Sequence, residues 1–404
     1  MSPNGIPIAM APITPVYFGD GRPNDAGEAD FGSSRFPPSP RTIQGVVRTA
    51  LLRSVEDLDL GATADRERIQ RLVGPPDRLP AGWQISGPWP AEWQEGNDGE
   101  AHQVAPWFPC PGWLAVERSG APAFRALHEV NADGGGSGAR LRMDVDAREV
   151  RGLLHGGGGF ARRWLSPPDV LRVLRGEVPR EPAESLPPFV AREPHTSLQL
   201  DPERRVAEEG MLYTLDYYRF RHDSGIMMRF EGMPPAPLDS SALISGVSSL
   251  GRKNRVVRML RVTSWDTAFQ SVLDGSHIPQ RVEEGDRFFL WATTPVGASD
   301  PLDPGIGNLA HEGARLELLS AAVGPREPIG GFSLVRQQGT VSRAYLPAGS
   351  AWLVAVTGGT DAAARRALLV GIHDTCCLGD DSAERSFGFG HALVARIPIG
   401  WRHR

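Results

Sequence analysis

The sequence predicts an α+β fold of about two domains, built of short elements joined by long loops. Three observations lead there. The chain has 404 residues, roughly two domains' worth at about 100–200 residues each. Its 47 glycines and 36 prolines make up about a fifth of it, which implies many turns and argues against a helix bundle. The first unit reads strand, long loop, helix, an order that suits a ferredoxin-like domain and other α/β folds as well.

Residues 6–18 have the apolar and β-branched content of a strand, which Pro7, Pro12 and Pro15 are expected to interrupt or confine to a sheet edge. Residues 19–38 are rich in Gly, Pro, Asp, Asn and Ser, the composition of a long loop. A helix is predicted to start at Ser39, a good N-cap, with Pro40 at its first position and Ile43, Val46, Val47, Ala50 and Leu51 at helical spacing. Residues 56–150, with Pro75, Pro76 and five tryptophans from Trp83 to Trp113, read as an irregular insertion, and residues 131–138 as a flexible loop. Five prolines between 176 and 194 mark a linker, so the expected domains are 1–190 and 191–404. In the second half, residues 197–201, 210–220, 287–292 and 350–356 read as strands and 363–368 as a short helix.

Composition narrows the function. Hydrophobic residues at 40% and charged residues at 23% are those of a globular protein. No apolar run approaches the roughly 20 residues a membrane-spanning helix needs, and the start carries no signal-peptide pattern, so a cytoplasmic location and no membrane partner are expected. Cys110, Cys376 and Cys377 do not form a disulfide framework and read as buried thiols in a reducing compartment. A net charge of −5 argues against coating nucleic acid by bulk attraction, so any RNA site must be local. Lys253 is the single lysine; the positive charge is otherwise arginine, whose forked donors suit phosphate.

Catalytic and metal signatures are lacking. There is no G-x-S-x-G elbow, His311-Glu312 has no second histidine at metalloprotease spacing, and Gly156 to Gly159 lacks the Gly-Lys-Ser/Thr of a phosphate loop. Asp20, Asp25, Glu28 and Asp30 are carboxylates at short spacing without the calcium-loop pattern, and read as a solvated or partner-facing loop. His155, His195 and His391 are the candidates for a general base in RNA cleavage. The expectation is a protein with no cofactor, no metal and no catalytic residue.

Three places suit RNA. The helix start at Ser39 and Thr42 offers free N–H groups and the positive dipole end, with Arg35, Arg41 and Arg48 near it; an ordinary capped helix is the alternative. Gly251, Arg252, Lys253 and Arg255 form a compact basic turn, or else a solvated charge cluster. Gly388, Phe389 and Gly390 combine flexible backbone with an aromatic suited to stacking a base; core packing is equally consistent with the spacing.

These residues also carry a family likeness. Ile13-Thr-Pro-Val-Tyr-Phe-Gly-Asp-Gly-Arg-Pro23, then Gly27-Glu28, then Ser33-Ser-Arg-Phe-Pro-Pro-Ser-Pro-Arg-Thr-Ile-Gln-Gly-Val-Val-Arg-Thr-Ala50 resemble the amino-terminal signature of the third Cmr subunit of type III-B CRISPR effector complexes. Ile85-Ser-Gly-Pro88, Phe108-Pro109, Gly210-Met-Leu-Tyr213, Leu250-Gly251, Pro347-Ala-Gly-Ser350 and Gly388-Phe-Gly390 follow in the same order. The resemblance implies the RAMP superfamily, with two ferredoxin-like (RRM-like) domains and irregular insertions. It implies a non-catalytic subunit that holds the 5′ tag of the CRISPR RNA. Its partners would be the large palm-domain subunit and a neighbouring Cmr backbone subunit. The Gly21-Arg-Pro23 loop, the Ser39 helix start and the Gly388-Phe-Gly390 tail loop match the family's motifs and are the expected RNA contacts. The basic turn departs from the family pattern, which has a second glycine and an acidic residue near its start.

Overall fold

The structure, a computed structural model, describes residues 5–19, 31–32, 34–60, 62–116, 122–124, 163–181, 184–200, 207–251, 255–333 and 338–398. Its elements follow in chain order. The first part holds β1 (Ile6–Pro12), α1 (Pro40–Arg53), α2 (Arg66–Val73), β2 (Gln84–Glu95), β3 (Ala101–Pro106) and α3 (Pro167–Leu174). Next come β4 (Val190–Leu200), β5 (Ala207–Phe220), β6 (Ser224–Glu231), β7 (Ser245–Leu250), β8 (Arg255–Arg261) and α4 (Thr267–Leu273). The last part holds β9 (Arg287–Ala292), β10 (Ala314–Ala322), β11 (Glu327–Ser333), β12 (Gln338–Tyr345), β13 (Ala351–Gly358), α5 (Ala362–Ile372), α6 (Ser382–Ser386) and β14 (His391–Arg396).

Two antiparallel sheets carry the molecule. The first has the order β7-β8-β1-β6-β2-β3; the second has β10-β13-β9-β14 at its centre, with Ala310–His311 and Thr375–Cys376 at its edges. Counting the four central strands of each sheet in chain order, both read 4-1-3-2 across the sheet: β8-β1-β6-β2 and β14-β9-β13-β10. The halves differ in their helices. In the first, α1 connects the first two strands and a short 3-10 turn, Ser240–Leu243, stands before the fourth. In the second, a 3-10 turn, Ile306–Asn308, lies in the first connection and α5 precedes the last strand.

Side chains alternate across each sheet with the period of two that a pleated strand imposes. Ile8, Met10, Ile226, Met228, Val257 and Met259 form a core with α1, whereas Ala9, Met227, Leu260 and Trp89 face a second core. That second core also takes Phe289, Trp291, Leu353 and Leu393 from the second sheet, with α3 and α4, so the two sheets share one apolar interior. The far face of the second sheet, with Phe288, Leu290, Trp352 and Val354, packs under α5.

The expected domain division at 190/191 does not follow the sheets. Strands β6 and β8 pair with β1 on either side and therefore complete the first sheet, and the hairpin of β4 and β5 stands between its second and third strands. Residues 84–95 are likewise a core strand, with Trp89 fully buried, where the sequence suggests an irregular insertion. Its prolines are accommodated by a register shift between Met227 and Arg229 on β6, opposite Gly87 and Pro88. Strand β1 is central rather than an edge. Pro7 is registered with β6 and Pro12 with β8, and Pro7, which has no N–H to give, still accepts at its carbonyl from Val262 N at 3.2 Å. Residues 131–138 and 156–159 lie outside the described residues. Among the described residues no helix is long and apolar enough to cross a membrane.

A buried polar chain joins the sheets. Trp89 Nε1 donates to Thr293 Oγ1 at 3.1 Å, the Thr293 hydroxyl lies 2.7 Å from His391 Nδ1, and His391 Nε2 lies 3.1 Å from Asp374 Oδ1. Arg229 on β6 closes the chain with two hydrogen bonds to the same carboxylate, at 2.6 and 2.8 Å. Burial alone would raise the Asp374 pKa; the Arg229 charge and the His391 hydrogen bond outweigh it and hold the carboxyl well below its usual range. Burial depresses His391 and, nearby, His373 and His277, the last to about 3.

Removing one partner of this pair strands a buried charge, which costs roughly 3–5 kcal/mol. Asp374 has a left-handed φ of 61°, which asparagine tolerates. Asp374→Asn is therefore expected to lose stability of that order in urea unfolding, and Arg229→Met in the same background to restore part of it. A second expectation concerns acid. Burial lowers all three histidines, which titrate near 6.5 when unfolded, so their contribution is complete above that pH and declines as pH falls below it, for His277 down to about 3. The Asp374 contribution declines only below the ordinary aspartate value of 3.8. The urea midpoint should fall steadily between pH 7 and 4, and less steeply in His277→Gln.

Candidate nucleic-acid interface

At the start of α1 the sequence chemistry works as local physics requires. Ser39 is extended at φ −71° and ψ 156°, its Oγ accepts from Thr42 N at 3.3 Å, and Pro40 takes the first turn, where no amide donor is needed. Arg41 follows, with only 12% of its side chain exposed. It donates to Glu384 Oε1 at 2.9 Å and to Tyr345 Oη at 3.2 Å, while the Tyr345 hydroxyl donates to Glu384 Oε1 at 2.6 Å. Arg343 adds a third donor to the same oxygen at 3.2 Å. Burial and the Glu384 carboxylate push the Tyr345 phenol up to about 12. Tyr345 stacks on Phe389 at 4.6 Å, so the helix start and the tail loop, far apart in sequence, form one site.

Within that site several expectations need correcting. Arg48 is no surface phosphate contact: it is 9% exposed and donates to the carbonyls of Pro75 and Arg78, each at 2.7 Å. Phe389 is buried against Tyr345 and offers no face to a base. The glycines serve close packing. Gly388 has φ +107°, and a Cβ there would lie 2.5 Å from Gly87 O on β2; at Gly390 it would lie 1.8 Å from Leu378 O. The tail loop is thus a wedge between the sheets.

The basic turn belongs to an adjoining cluster. Gly251 has φ +73°, and a Cβ there would lie 2.5 Å from Tyr17 O, so glycine lets the turn lie directly against the segment after β1. Phe18 in that segment accepts from Arg35 N at 2.8 Å and donates its own N–H to Ser34 Oγ at 2.9 Å. Arg35 in turn pairs with Glu327 and donates to Pro328 O at 3.1 Å, which ties the loop to β11. The Arg255 guanidinium lies 5.3 Å from the centre of the Tyr217 ring, and its Nε has no hydrogen-bond partner among the described residues. Tyr217 also meets Tyr17 at 5.7 Å and His195 at 4.6 Å. Arg22, Arg252 and Lys253 lie outside the described residues, as do His155 and the acidic set Asp20, Asp25, Glu28 and Asp30.

The structure therefore brings Arg35, Ser39, Arg41, Thr42, Gly251 and Arg255 into one band along the first sheet, continuous through Tyr17 and Phe18. Tyr217, Tyr345 and Glu384 complete it and were not legible in the sequence, because nothing local signals a partner hundreds of residues away. Of the candidate histidines, His391 is fully buried with both ring nitrogens engaged, so it cannot reach a 2′-hydroxyl. His195 stands at the band with 39% of its side chain exposed, its Nε2 2.6 Å from Glu193 Oε1. Cys376 and Cys377 are free thiols that burial pushes up to about 12 and about 11, unreactive rather than nucleophilic.

One possible metal group occurs among the described residues: Glu95, His222 and Asp223, with ligand atoms within 4.8 Å of one another. Arg258 donates to both Glu95 oxygens, at 2.8 and 2.6 Å, and that hydrogen bonding holds the carboxyl below its usual range. A cation would have to displace the guanidinium, so the group does not fit a metal.

Sequence comparison places the chain in a family. Residues 8–397 match the family of the CRISPR-associated protein Cas_Cmr3. The chain belongs to this family, the third subunit of type III-B CRISPR effector complexes. Comparison with curated proteins finds no match. Among solved structures, a chain of the type III-B Cmr-beta complex bound to cognate target RNA and AMPPnP is 14% identical, with 91% of this chain and 88% of that chain covered at a TM-score of 0.42. A chain of Cmr-beta bound to cognate target RNA is also 14% identical, with 86% of each covered at 0.43. A chain of the Csm1-Csm4 cassette in complex with cA4 is 13% identical, with 86% and 85% covered at 0.31.

Stability separates packing from base stacking at the tail loop. Phe389→Ala is expected to cost about 3–5 kcal/mol, as for a buried aromatic. Urea unfolding without ligand reads this directly, and an unchanged midpoint would return Phe389 to the list of free aromatics.

Proposed function

We propose that this protein is a non-catalytic, RNA-binding subunit that holds the 5′ tag of the CRISPR RNA, seated between the large palm-domain subunit and a neighbouring Cmr backbone subunit in the cytoplasm. The observation that carries the reading is the convergence of the Ser39 helix start and the 251–255 turn on one band, in a chain of this family. The band combines the Ser39 helix start, a basic turn and arginines held against buried tyrosines, groups that can contact the phosphates of a single strand. Two ferredoxin-like RAMP domains account for the repeated 4-1-3-2 strand order, each having lost one of its two helices to a short turn.

A second reading, a RAMP endoribonuclease that processes CRISPR RNA, rests on His195, which is exposed beside Tyr217 within the same band. Purified chain that cleaves repeat RNA without metal, and a His195→Ala variant that does not, would establish it.

The test of the leading reading is affinity purification from native cells, which should recover a palm-domain subunit and RNAs with a uniform 5′ end. The site assignment is tested by salt. Replacing Arg252, Lys253 and Arg255 with alanine removes up to three phosphate contacts, and for a single strand each is worth roughly 0.7 in the slope of log affinity against log salt. The slope should become shallower by about 2 by that rule. An unchanged slope would remove the turn from the interface.

A further inference from the structure

The outer edge of the second sheet is open. Strand β10 pairs with β13 from Ala314 to Ala322, but on its other side only Ala310 and His311 meet it, opposite Arg315 and Ala314. From Glu317 onwards no strand or loop backbone pairs with it there among the described residues. The direction of the backbone groups follows from the ladder. Val356 of β13 donates its N–H to Asp286 O and accepts from Gly285 N, so it turns towards β9, and Val354, two residues away, turns the same way. Leu318 stands opposite Val354 and therefore points its own N–H and C=O outward, where a further strand could take them.

A groove of about 410 Å³ runs along this edge, between β10 and the loop that carries the 3-10 turn Ile306–Asn308. Leu302 and Ile306 line it from the loop, and Leu316, Leu318 and Leu319 from the strand. Two leucines in succession reach it because the register with β13 slips between Leu318 and Ser320, which leaves Leu319 as the extra residue of a bulge. Both are only half-buried. Sheets usually blunt an open edge with proline, lysine or a covering element. The stretch from Glu317 to Ala322 has no proline and no lysine, and its bulge offers leucine to solvent.

Charge narrows the occupant. Asp300 and Asp303 stand on the loop side of the groove, both exposed, and among the described residues their partners are backbone N–H groups of their own loop, those of Leu302 and Gly307. On the opposite face of the strand Glu317 has Arg315 two residues away, so the acidic excess lies on the groove side. A strand of RNA is a poor fit, since its phosphates would meet the two aspartates and it has no peptide backbone to extend the ladder. A second copy is a poor fit too, because edge-to-edge pairing about a twofold axis would set two acidic rims together. We propose that β10 accepts an extended segment of another subunit as an added strand. That segment carries apolar residues at alternate positions, which enter the groove, and Lys or Arg residues that meet Asp300 and Asp303. The proposal rests on membership of a family of complex subunits and goes beyond the RNA-binding reading, whose band runs along the first sheet.

The test is site-specific photo-cross-linking in the assembled complex. Glu317→p-benzoylphenylalanine sets the reactive group on the open edge without entering the groove. The full chain carrying it is expressed in native cells, purified with its partners, irradiated and digested for peptide sequencing. The expected adduct joins β10 to one other subunit, at a segment with apolar residues at alternate positions and Lys or Arg beside them. In the same background, Asp300→Lys with Asp303→Lys should lower the adduct yield at least about tenfold, since like charges brought together across an interface are strongly disfavoured. Thermal unfolding checks that chain; should it not fold, Asp300→Asn with Asp303→Asn, which keeps the acceptors of the turn, should still lower the yield. Several outcomes would overturn the proposal: no adduct, an adduct to RNA, to a second copy or to residues 125–162 of the same chain, an adduct to a segment without basic residues, or a yield that the charge variants leave unchanged. The alanine variant of Arg252, Lys253 and Arg255 should keep the adduct, so failure of the RNA reading and failure of this one are told apart.

Discussion

The structure depends on one constraint, a guanidinium and a carboxylate buried together between two sheets. Arg229 comes from the first sheet and Asp374 from the connection that leads into the last strand of the second, with only 5% and 12% of their side chains exposed. Such a pair seldom adds net stability over an apolar pair of the same shape, because the desolvation of both ions is set against their attraction. What it adds is register. The bidentate geometry, with His391 and Thr293 bonded behind it and Trp89 closing the chain, is satisfied by a single placement of the two sheets. The apolar core around it would accept several.

That placement builds the interface. α6 begins eight residues after Asp374 and leads into the 387–390 loop, so fixing the second sheet also fixes Glu384, Tyr345 and Phe389 against the start of α1. The glycines of the loop then have a mechanical role. Gly388 meets the backbone of β2 more closely than any side chain would allow, which seats the loop as a wedge and presents Glu384 to Arg41.

Local chemistry was legible in the sequence and long-range pairing was not. Ser39 and Pro40 announce the helix because capping involves neighbouring residues only, and β9 and α5 are legible from pattern for the same reason. Strand β2 is not, because Pro88 and Pro90 deny it the usual signature and a register shift on another strand is what admits them. The domain division fails similarly: prolines near 190 mark the start of β4, while β6 and β8 return later to pair with β1. Arg41 and Glu384, 343 positions apart, could not be paired by any spacing rule. The tail loop misleads for a subtler reason, since glycine beside phenylalanine is the composition of a flexible stacking loop and equally of a tight wedge.

The charge of the band follows from this arrangement and, on the proposed reading, reconciles a net charge of −5 with an RNA ligand. Arg35 is opposite Glu327, and Arg41 and Arg343 are opposite Glu384, so the middle of the band is close to neutral by construction. A phosphate there has to compete with a carboxylate already in place, which weakens binding but selects for a ligand that makes shape-dependent contacts as well. On that reading the attraction falls to the stretch bounded by Gly251 and Arg255, where Arg255 has no acidic partner among the described residues and Gly251 lies against Tyr17 O. On the proposed reading, a surface with one cationic end and a balanced centre would draw a strand in near Arg255 and then discriminate along its length. Such a division of labour suits a protein that has to hold one defined segment of RNA rather than any RNA it meets.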